Sequence, residues 1–242
     1  MIIAVDVGNT KTEIASVVAG EVIDRHRVTT GSGVESALRQ VALGKVTGLA
    51  VGTVVPGERA RWAAIGAAEG WATRVFARGD EVPIATRVRE PARVGVDRLV
   101  NAIGALDRAR GPLVVVDIGT ATTVDAIDGD GVFLGGAILA GPATALRALV
   151  GGTAQLPPVP LAPPPAVIGR DTVEAIQSGC VLGYAGAIDA LVAGMREAIG
   201  AHATAFFCGG LGASFAPLCR GPLVLDDTLT LRGLARAWEL SR

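Results

Sequence analysis

The chain has 242 residues, half of them hydrophobic, and a formal net charge of −1. A charge this close to neutral, without any basic run, argues against a nucleic-acid-binding surface. The three cysteines lack metal-site spacing, which is typical of a reducing cytoplasm, and the long uncharged stretches at 131–146 and 148–169 are broken by glycine or proline. We therefore expect a cytoplasmic protein that binds neither nucleic acid nor membrane.

The predicted elements form two similar series in chain order. The first begins with a strand–turn–strand at residues 2–12 and ends with an amphipathic helix between 94 and 110, whose apolar residues recur every three to four positions. Between them the pattern predicts strands at 21–28, 49–55 and 73–77, and helices at 36–43 and 58–70.

The second series starts after Gly111 and Pro112. It predicts strands at 113–117, 123–128, 132–139 and 204–208, and helices at 143–150, 171–199 and 231–240. Six prolines between residues 157 and 165 exclude helix and central strand there, which leaves an ordered extended loop or a flexible lid. Strands followed by helices, twice over, predict an α/β protein with mixed sheets and two halves, residues 1–111 and 112–242.

A short motif at the start of each half supports this duplication. A shift of 111 positions aligns three residues of the two copies: Asp6 with Asp117, Gly8 with Gly119 and Thr12 with Thr123. Glycine lets backbone N–H groups approach phosphate oxygens closely, and threonine hydroxyls add neutral donors. The repeat therefore predicts a cleft between two halves that binds a nucleoside triphosphate, with Asp6 near a magnesium ion and the Gly8-to-Thr12 turn against the β- and γ-phosphates.

Further candidate chemistry lies outside these hairpins. In the segment 95–98 (Gly-Val-Asp-Arg), Asp97 either interacts with the helix dipole or accepts the proton of an attacking alcohol, while Arg98 could hold an anionic group. Asp117 ends a buried strand, where a carboxylate is costly without a cation or several donors, so a metal or alkali ion is expected beside it. Thr172 belongs either to a helix cap or to a substrate contact. The glycine loop at 209–212 is either a nucleotide contact or a plain strand-to-helix turn.

In order along nearly the whole chain, five blocks resemble type III pantothenate kinases. These blocks are residues 6–10, 95–98, 117–123, 134–138 and 169–179, and the glycines at 209–210 fit as well. The resemblance implies a duplicated actin-like ATPase fold, also called ribonuclease H-like, in the superfamily of sugar kinases and heat-shock ATPases. It further implies that a cytoplasmic homodimer uses ATP to phosphorylate pantothenate to 4′-phosphopantothenate, the first step of coenzyme A biosynthesis.

The resemblance also implies a role for each matching residue. Asp97 is the expected general base, and Asp117 is expected to bind a monovalent cation, K⁺ or NH₄⁺. ATP, with Mg²⁺, is expected to contact Asp6, Val7, Gly8, Asn9, Thr10, Lys11, Thr12, Glu13 and Thr120. Pantothenate is expected to contact Gly95, Val96, Asp97, Arg98 and Thr172.

Two positions depart from the family pattern. Lys11 stands where asparagine is common, and Val88, nine residues before Asp97, stands where a substrate-contacting tyrosine is expected. These departures motivate an alternative, a non-catalytic nucleotide-binding relative that acts as an accessory transcription factor. The kinase is favoured because the whole set of expected functional residues is present: Asp6, Asp97, Arg98, Asp117 and Thr172. A kinase of the same superfamily for a sugar or small acid is disfavoured by the 95–98 block.

Overall fold

The computed structural model describes all residues from Met1 to Arg242, and their tertiary contacts divide into two units. Unit 1 comprises Met1–Arg110, Gly131–Phe133 and Thr228–Arg242, and unit 2 comprises Gly111–Asp130 and Leu134–Asp227. The sequence-based division placed the last helix in the C-terminal half, whereas the tertiary contacts place it in unit 1. Its buried residues pack on a helix and strands of the N-terminal sheet, a long-range contact that chain order does not reveal.

Unit 1 is built on a mixed five-stranded sheet with the order β3-β2-β1-β4-β5. Its strands are β1 (Ile2–Val7), β2 (Lys11–Val18), β3 (Glu21–Thr29), β4 (Gly48–Thr53) and β5 (Ala72–Phe76). The first three strands are antiparallel neighbours, whereas β4 runs parallel to both β1 and β5. The helices are α1 (Val34–Val41), α2 (Glu58–Ala68), α3 (Val96–Arg108) and the C-terminal α8 (Leu229–Leu240).

The two faces of this sheet carry side chains of different size. On one face, Ile3 and its alternate neighbours pack with α1 and α2 in a core that includes Trp62. On the other face, Gly48 and Gly52 of β4 lie beneath α8, and a Cβ at Gly48 would lie 2.2 Å from the ring of Trp238. The missing side chains let α8 lie directly on the strand, which explains why glycine interrupts an otherwise apolar core strand.

Unit 2 contains a second five-stranded sheet, with the order β10-β9-β6-β7-β8. Its strands are β6 (Leu113–Ile118), β7 (Ala121–Ile127), β8 (Phe133–Ala140), β9 (Thr204–Cys208) and β10 (Leu223–Leu225). As in the first sheet, the central strand has an antiparallel hairpin partner on one side and parallel strands on the other. This shared order confirms the α/β fold with a duplicated core. The three-residue β10 was not predicted, because so short a segment carries no periodic pattern.

The helices of unit 2 are α4 (Pro142–Gly151), α5 (Thr172–Gln177), α6 (Tyr184–Ile199) and the one-turn α7 (Gly212–Phe215). A π-helical turn at Ser178–Gly183 joins α5 to α6 in one continuous helical stretch. This 28-residue stretch is long and apolar enough to cross a membrane. Core helices of soluble proteins also meet these two criteria, so the finding is weak evidence for a membrane span. One face of α6, including Ile188 and Val192, packs in the core of the second sheet. The proline-rich residues 157–165 form neither helix nor strand, as predicted.

Candidate active site

The first candidate segment is the hairpin between β1 and β2. The N–H of Gly8 donates to the carbonyl of Lys11 at 3.0 Å, and a Cβ at Gly8 would lie 3.2 Å from that same oxygen. Glycine therefore keeps the turn tight. Asn9, Thr10 and Lys11 are exposed at the tip, whereas Asp6 is partly buried at the strand end. The hairpin thus presents polar groups to solvent beside a carboxylate, as a phosphate-binding turn requires.

Thr30, which the sequence analysis did not identify, stabilises this hairpin through hydrogen bonds. The hydroxyl of Thr30 donates to the carbonyl of Gly8 at 2.7 Å, and its oxygen lies 3.1 Å from the hydroxyl oxygen of Thr12. The N–H of Thr30 donates to the carbonyl of Thr10 at 3.1 Å. Thr12 is buried, so its hydroxyl supports the turn from inside. The turn signal after β3 was visible in the sequence, but only the pairing of β2 with β3 places Thr30 under the hairpin.

Glu13 lies on β2, directly opposite Arg27 of β3 and Asp6 of β1. Its carboxylate forms an ion pair with the guanidinium of Arg27. The charge of Glu13 is therefore compensated within the sheet, so that two acidic side chains can occupy adjacent strands at the same level.

The second candidate segment of unit 1 is the N-terminus of α3. A Cβ at Gly95 would lie 2.4 Å from Oδ1 of Asp97, so glycine leaves room for that carboxylate. Oδ1 of Asp97 accepts a hydrogen bond from the backbone N–H of Arg98 at 2.9 Å. The guanidinium carbon of Arg98 lies 5.5 Å from the ring centroid of Phe133. A carboxylate and a cation thus lie side by side at the start of a buried helix.

Helix α3 is fixed along its length by α8. A Cβ at Gly233 would lie 1.8 Å from the carbonyl oxygen of Val100, and one at Gly104 would lie 2.5 Å from a backbone oxygen of α8. The hydroxyl of Thr230 also donates to Oδ1 of Asn101 at 2.7 Å. Backbone contact through two glycines, with one partly buried hydrogen bond, sets the register of α3 and hence the position of its first turn.

The turn that precedes α3 is fixed by a separate set of contacts. A Cβ at Gly79 would lie 2.1 Å from a carbonyl oxygen of the turn at residues 91–94. Nearby, the carboxylate of Glu81 accepts the backbone N–H groups of residues 77 and 78 at 2.8 and 3.1 Å and pairs with Arg59. Burial works to raise the pKa of Glu81, but these donors outweigh it and hold the pKa below its usual value of 4.5.

In unit 2, Asp117 is the penultimate residue of β6 and lies opposite Cys208 at the end of β9. Gly209 follows with a left-handed φ of +83°, and a Cβ there would lie 2.2 Å from Oδ1 of Asp117. The N–H of Leu211 donates to the carbonyl of Ile118 at 2.9 Å. The glycine loop thus forms a strand-to-helix turn that packs against the carboxylate of Asp117, and a nucleotide contact by this loop stays a prediction.

Thr120 lies at the tip of the hairpin between β6 and β7, with its side chain exposed. Its carbonyl accepts the N–H of Gly141 and the hydroxyl of Thr144, both at 2.9 Å. A Cβ at Gly141 would lie 2.0 Å from the carbonyl oxygen of Gly119. The start of α4 thus clamps the backbone of this tip, while the hydroxyl of Thr120 faces solvent.

Thr172 is the first residue of α5, and the structure separates it from the helix cap. Oδ1 of Asp171 accepts the N–H of Glu174 at 2.8 Å, and the carboxylate of Glu174 accepts the N–H of Arg170 at 2.8 Å. Asp171 is therefore the N-cap of α5, and Glu174 binds the backbone of the residue before the cap. Since Asp171 is the cap, the exposed hydroxyl of Thr172 has no part in it and is accessible to a ligand.

Comparison with known proteins identifies the family. The family model for type III pantothenate kinase matches residues 2–194. A type III pantothenate kinase from Thermomicrobium roseum is 37% identical, over 99% of this chain and 97% of the relative. The chain belongs to the type III pantothenate kinase family. The resemblance seen in the ordered sequence blocks is therefore confirmed.

Solved structures share the fold of this type III pantothenate kinase family member at low identity. A Campylobacter jejuni protein assigned to the Baf family of transcriptional activators has a TM-score of 0.64 at 18% identity, covering 98% of this chain and 97% of that chain. A ROK family glucokinase from Streptomyces griseus has a TM-score of 0.56 at 13% identity, covering 97% of each chain. At such identities these likenesses show the fold alone, which is that of actin-like sugar kinases and ATPases, as expected from the sequence.

Proposed function

We propose that this kinase transfers the γ-phosphoryl group of ATP to pantothenate, giving 4′-phosphopantothenate in the first step of coenzyme A biosynthesis. The observation that carries the proposal is the match, over nearly the whole chain, to a relative named as a type III pantothenate kinase. It is supported by the presence of the residue types that the chemistry needs, at the positions the family pattern expects: Asp6, Asp97, Arg98, Asp117 and Thr172.

The proposed proton acceptor is Asp97. Its Oδ1 is held by the N–H of Arg98, and Oδ2 accepts the proton of the primary hydroxyl of pantothenate as that oxygen attacks the γ-phosphorus. The bond from the γ-phosphorus to the β–γ bridging oxygen breaks, and ADP leaves with that oxygen. The guanidinium of Arg98 suits the carboxylate of pantothenate, because its planar fork can donate to two oxygens. Thr172 adds an exposed hydroxyl as a further substrate contact.

The proposed ATP contacts are residues 6–13 and Thr120. The exposed tip of the first hairpin offers amide, hydroxyl and ammonium donors to phosphate oxygens. No group of three or more His, Cys, Asp or Glu side chains is arranged as a metal site in residues 1–242. This fits a Mg²⁺ that arrives on the ATP phosphates and uses only one or two carboxylates, with Asp6 as the proposed ligand. Mg²⁺ would neutralise charge that develops on the phosphates.

Asp117 is the proposed ligand for a monovalent cation, K⁺ or NH₄⁺. The support is the partial burial of Asp117 beside the end of its strand, where a carboxylate is costly unless it meets a cation or several donors. Gly209 packs directly against this carboxylate, so the backbone there fixes its position. Such a cation would offset phosphate charge in a chain with only two lysines, Lys11 and Lys45.

We further propose that the enzyme works in the cytoplasm as a homodimer. Unit 2 exposes several large apolar side chains that a second copy could cover: Ile138, Leu149, Val167, Ile168 and Val173. The segment bearing Val167 is tied to the helical stretch by the hydroxyl of Ser178, which donates to the carbonyl of Val167 at 2.6 Å. Exposed apolar groups on an ordered segment are typical of an interface between subunits.

The test is ATP-dependent phosphorylation of pantothenate by the purified protein, with K⁺ and with a large organic cation in its place. We expect product with K⁺ and almost none with the organic cation. Binding of ATP without any product would instead favour the non-catalytic relative. It would also indicate that the departures at Lys11 and Val88 affect function. Equal rates with both cations would remove the cation role of Asp117.

The role of Asp97 is tested by Asp97→Asn, which keeps the shape but removes the base. We expect kcat to fall by roughly 10²- to 10⁴-fold while ATP binding is nearly unchanged. Asp107→Asn is the matched control, since Asp107 lies on the same helix and pairs with Arg236 at 3.5 Å. Near-normal turnover of the Asp97 variant would exclude it as the base.

A further inference from the structure

A buried aromatic ring lies beside the cation at the start of α3. The guanidinium carbon of Arg98 is 5.5 Å from the ring centroid of Phe133, inside the range of about 6 Å in which a cation is attracted to a ring face. Phe133 has no exposed surface, so the ring is shielded from water. A desolvated ring attracts a cation more strongly than an exposed one does.

The backbone holds this ring in place. Residues Gly131–Phe133 belong to unit 1, although the residues on either side of them belong to unit 2. The N–H of Phe133 donates to the carbonyl of Ala85, and its own carbonyl accepts the N–H of Arg87, both at 2.9 Å. A bridge of two backbone bonds allows little movement of the Cα, so the position of the ring is set before any ligand arrives.

We propose that Phe133 is a positioning residue, whose ring holds the guanidinium of Arg98 ready for the carboxylate of the substrate. This inference rests on the proposed function, which gives Arg98 that carboxylate to bind. Arginine has many rotamers, and binding costs less free energy when the side chain is already ordered. The ring restrains the guanidinium through its π face and uses none of the N–H donors itself, so it does not compete with a carboxylate for them.

The kinetic test replaces the ring but keeps an apolar side chain, in Phe133→Leu. We expect KM for pantothenate to rise roughly 3- to 30-fold, the range of a cation–π contact, with kcat and KM for ATP changed by less than about threefold. The matched control is Phe76→Leu, since Phe76 is a buried phenylalanine on β5 of the same unit. The control should lose stability without a change in KM for pantothenate. An equal KM for pantothenate in the two variants would overturn the proposal.

A second measurement needs no catalysis. In protein labelled with ¹⁵N-arginine and free of substrate, the side-chain Nε–Hε signal of Arg98 should be ordered and shifted by the ring current of Phe133. Phe133→Leu should remove the shift and increase the mobility of Arg98, whereas Phe76→Leu should do neither. An unchanged Arg98 signal would overturn the inference, whatever the kinetics show. If the wild-type protein does not phosphorylate pantothenate but Phe133→Leu still increases the mobility of Arg98, the proposed function is wrong and the positioning of Arg98 by Phe133 is confirmed.

Discussion

Replacing Gly233 with alanine tests how α8 positions the helix that carries Asp97. A Cβ at residue 233 would lie 1.8 Å from the carbonyl oxygen of Val100, against about 3.4 Å for an ordinary contact. The two atoms must therefore separate by about 1.6 Å. Both belong to helix backbones or lie directly on them, so no side-chain rotation can relieve the clash, and α3 and α8 must move apart.

The expected cost follows from that displacement. Overpacking a core costs about 1–3 kcal/mol, and a clash on backbone belongs at or above the upper end. The better helix propensity of alanine returns about 1 kcal/mol, which leaves a net loss of about 2 kcal/mol or more. For a chain of this length, that loss lowers Tm by about 4–8 °C. Because α3 moves with its first turn, kcat should also fall by up to about a hundredfold.

The assay is thermal unfolding followed by calorimetry, with turnover measured well below the transition. Gly194→Ala is the matched control, because Gly194 lies inside α6 and a Cβ there has no neighbour within 4 Å. This control should gain up to about 1 kcal/mol from helix propensity. If Gly233→Ala were as stable and as active as the Gly194 variant, α8 would not position α3 through backbone contact.

Three further predictions concern single side chains. Because the pKa of Glu81 is lower in the folded protein than its unfolded value of 4.5, its ionised carboxylate stabilises the fold above that pH, and this stabilisation is lost as pH falls through the folded pKa. Glu81→Gln should therefore lower the free energy of unfolding by about 1 kcal/mol at neutral pH. Denaturant titrations should show this difference narrowing below pH 4.5, and a constant difference would contradict it. Burial, and then the charge of Asp189, raises the pKa of Cys219 to about 11, so at pH 8 its alkylation followed by mass spectrometry should be on the order of a hundredfold slower than that of a free cysteine. Rapid alkylation would show that the pKa of Cys219 is not raised by its surroundings. Gly209→Ala should displace the carboxylate of Asp117 and raise the K⁺ concentration needed for half-maximal activity, and an unchanged K⁺ dependence would separate Asp117 from the cation.

Local patterns were sufficient to predict most of the elements and their type. The hairpins after Asp6 and Asp117 were visible because an apolar run and a glycine turn occupy a few consecutive residues. Helix α3 was visible because its apolar residues recur with the helical period, and the observed helix, Val96–Arg108, lies within the predicted range. The family resemblance also came from short ordered blocks, and it led to the family that the comparisons show.

The sequence by itself therefore determined the α/β class, the duplication and the family, because each depends on neighbouring residues or on the order of blocks. Only the tertiary structure placed α8 on α3, Thr30 under the first hairpin, Gly209 against Asp117 and the ring of Phe133 beside Arg98. These contacts join residues far apart in the chain, and a glycine, a threonine or a phenylalanine looks the same in the sequence whether or not it touches a functional side chain. The physical reason is that close approach is a property of packed elements, and no periodicity or spacing along the chain records it.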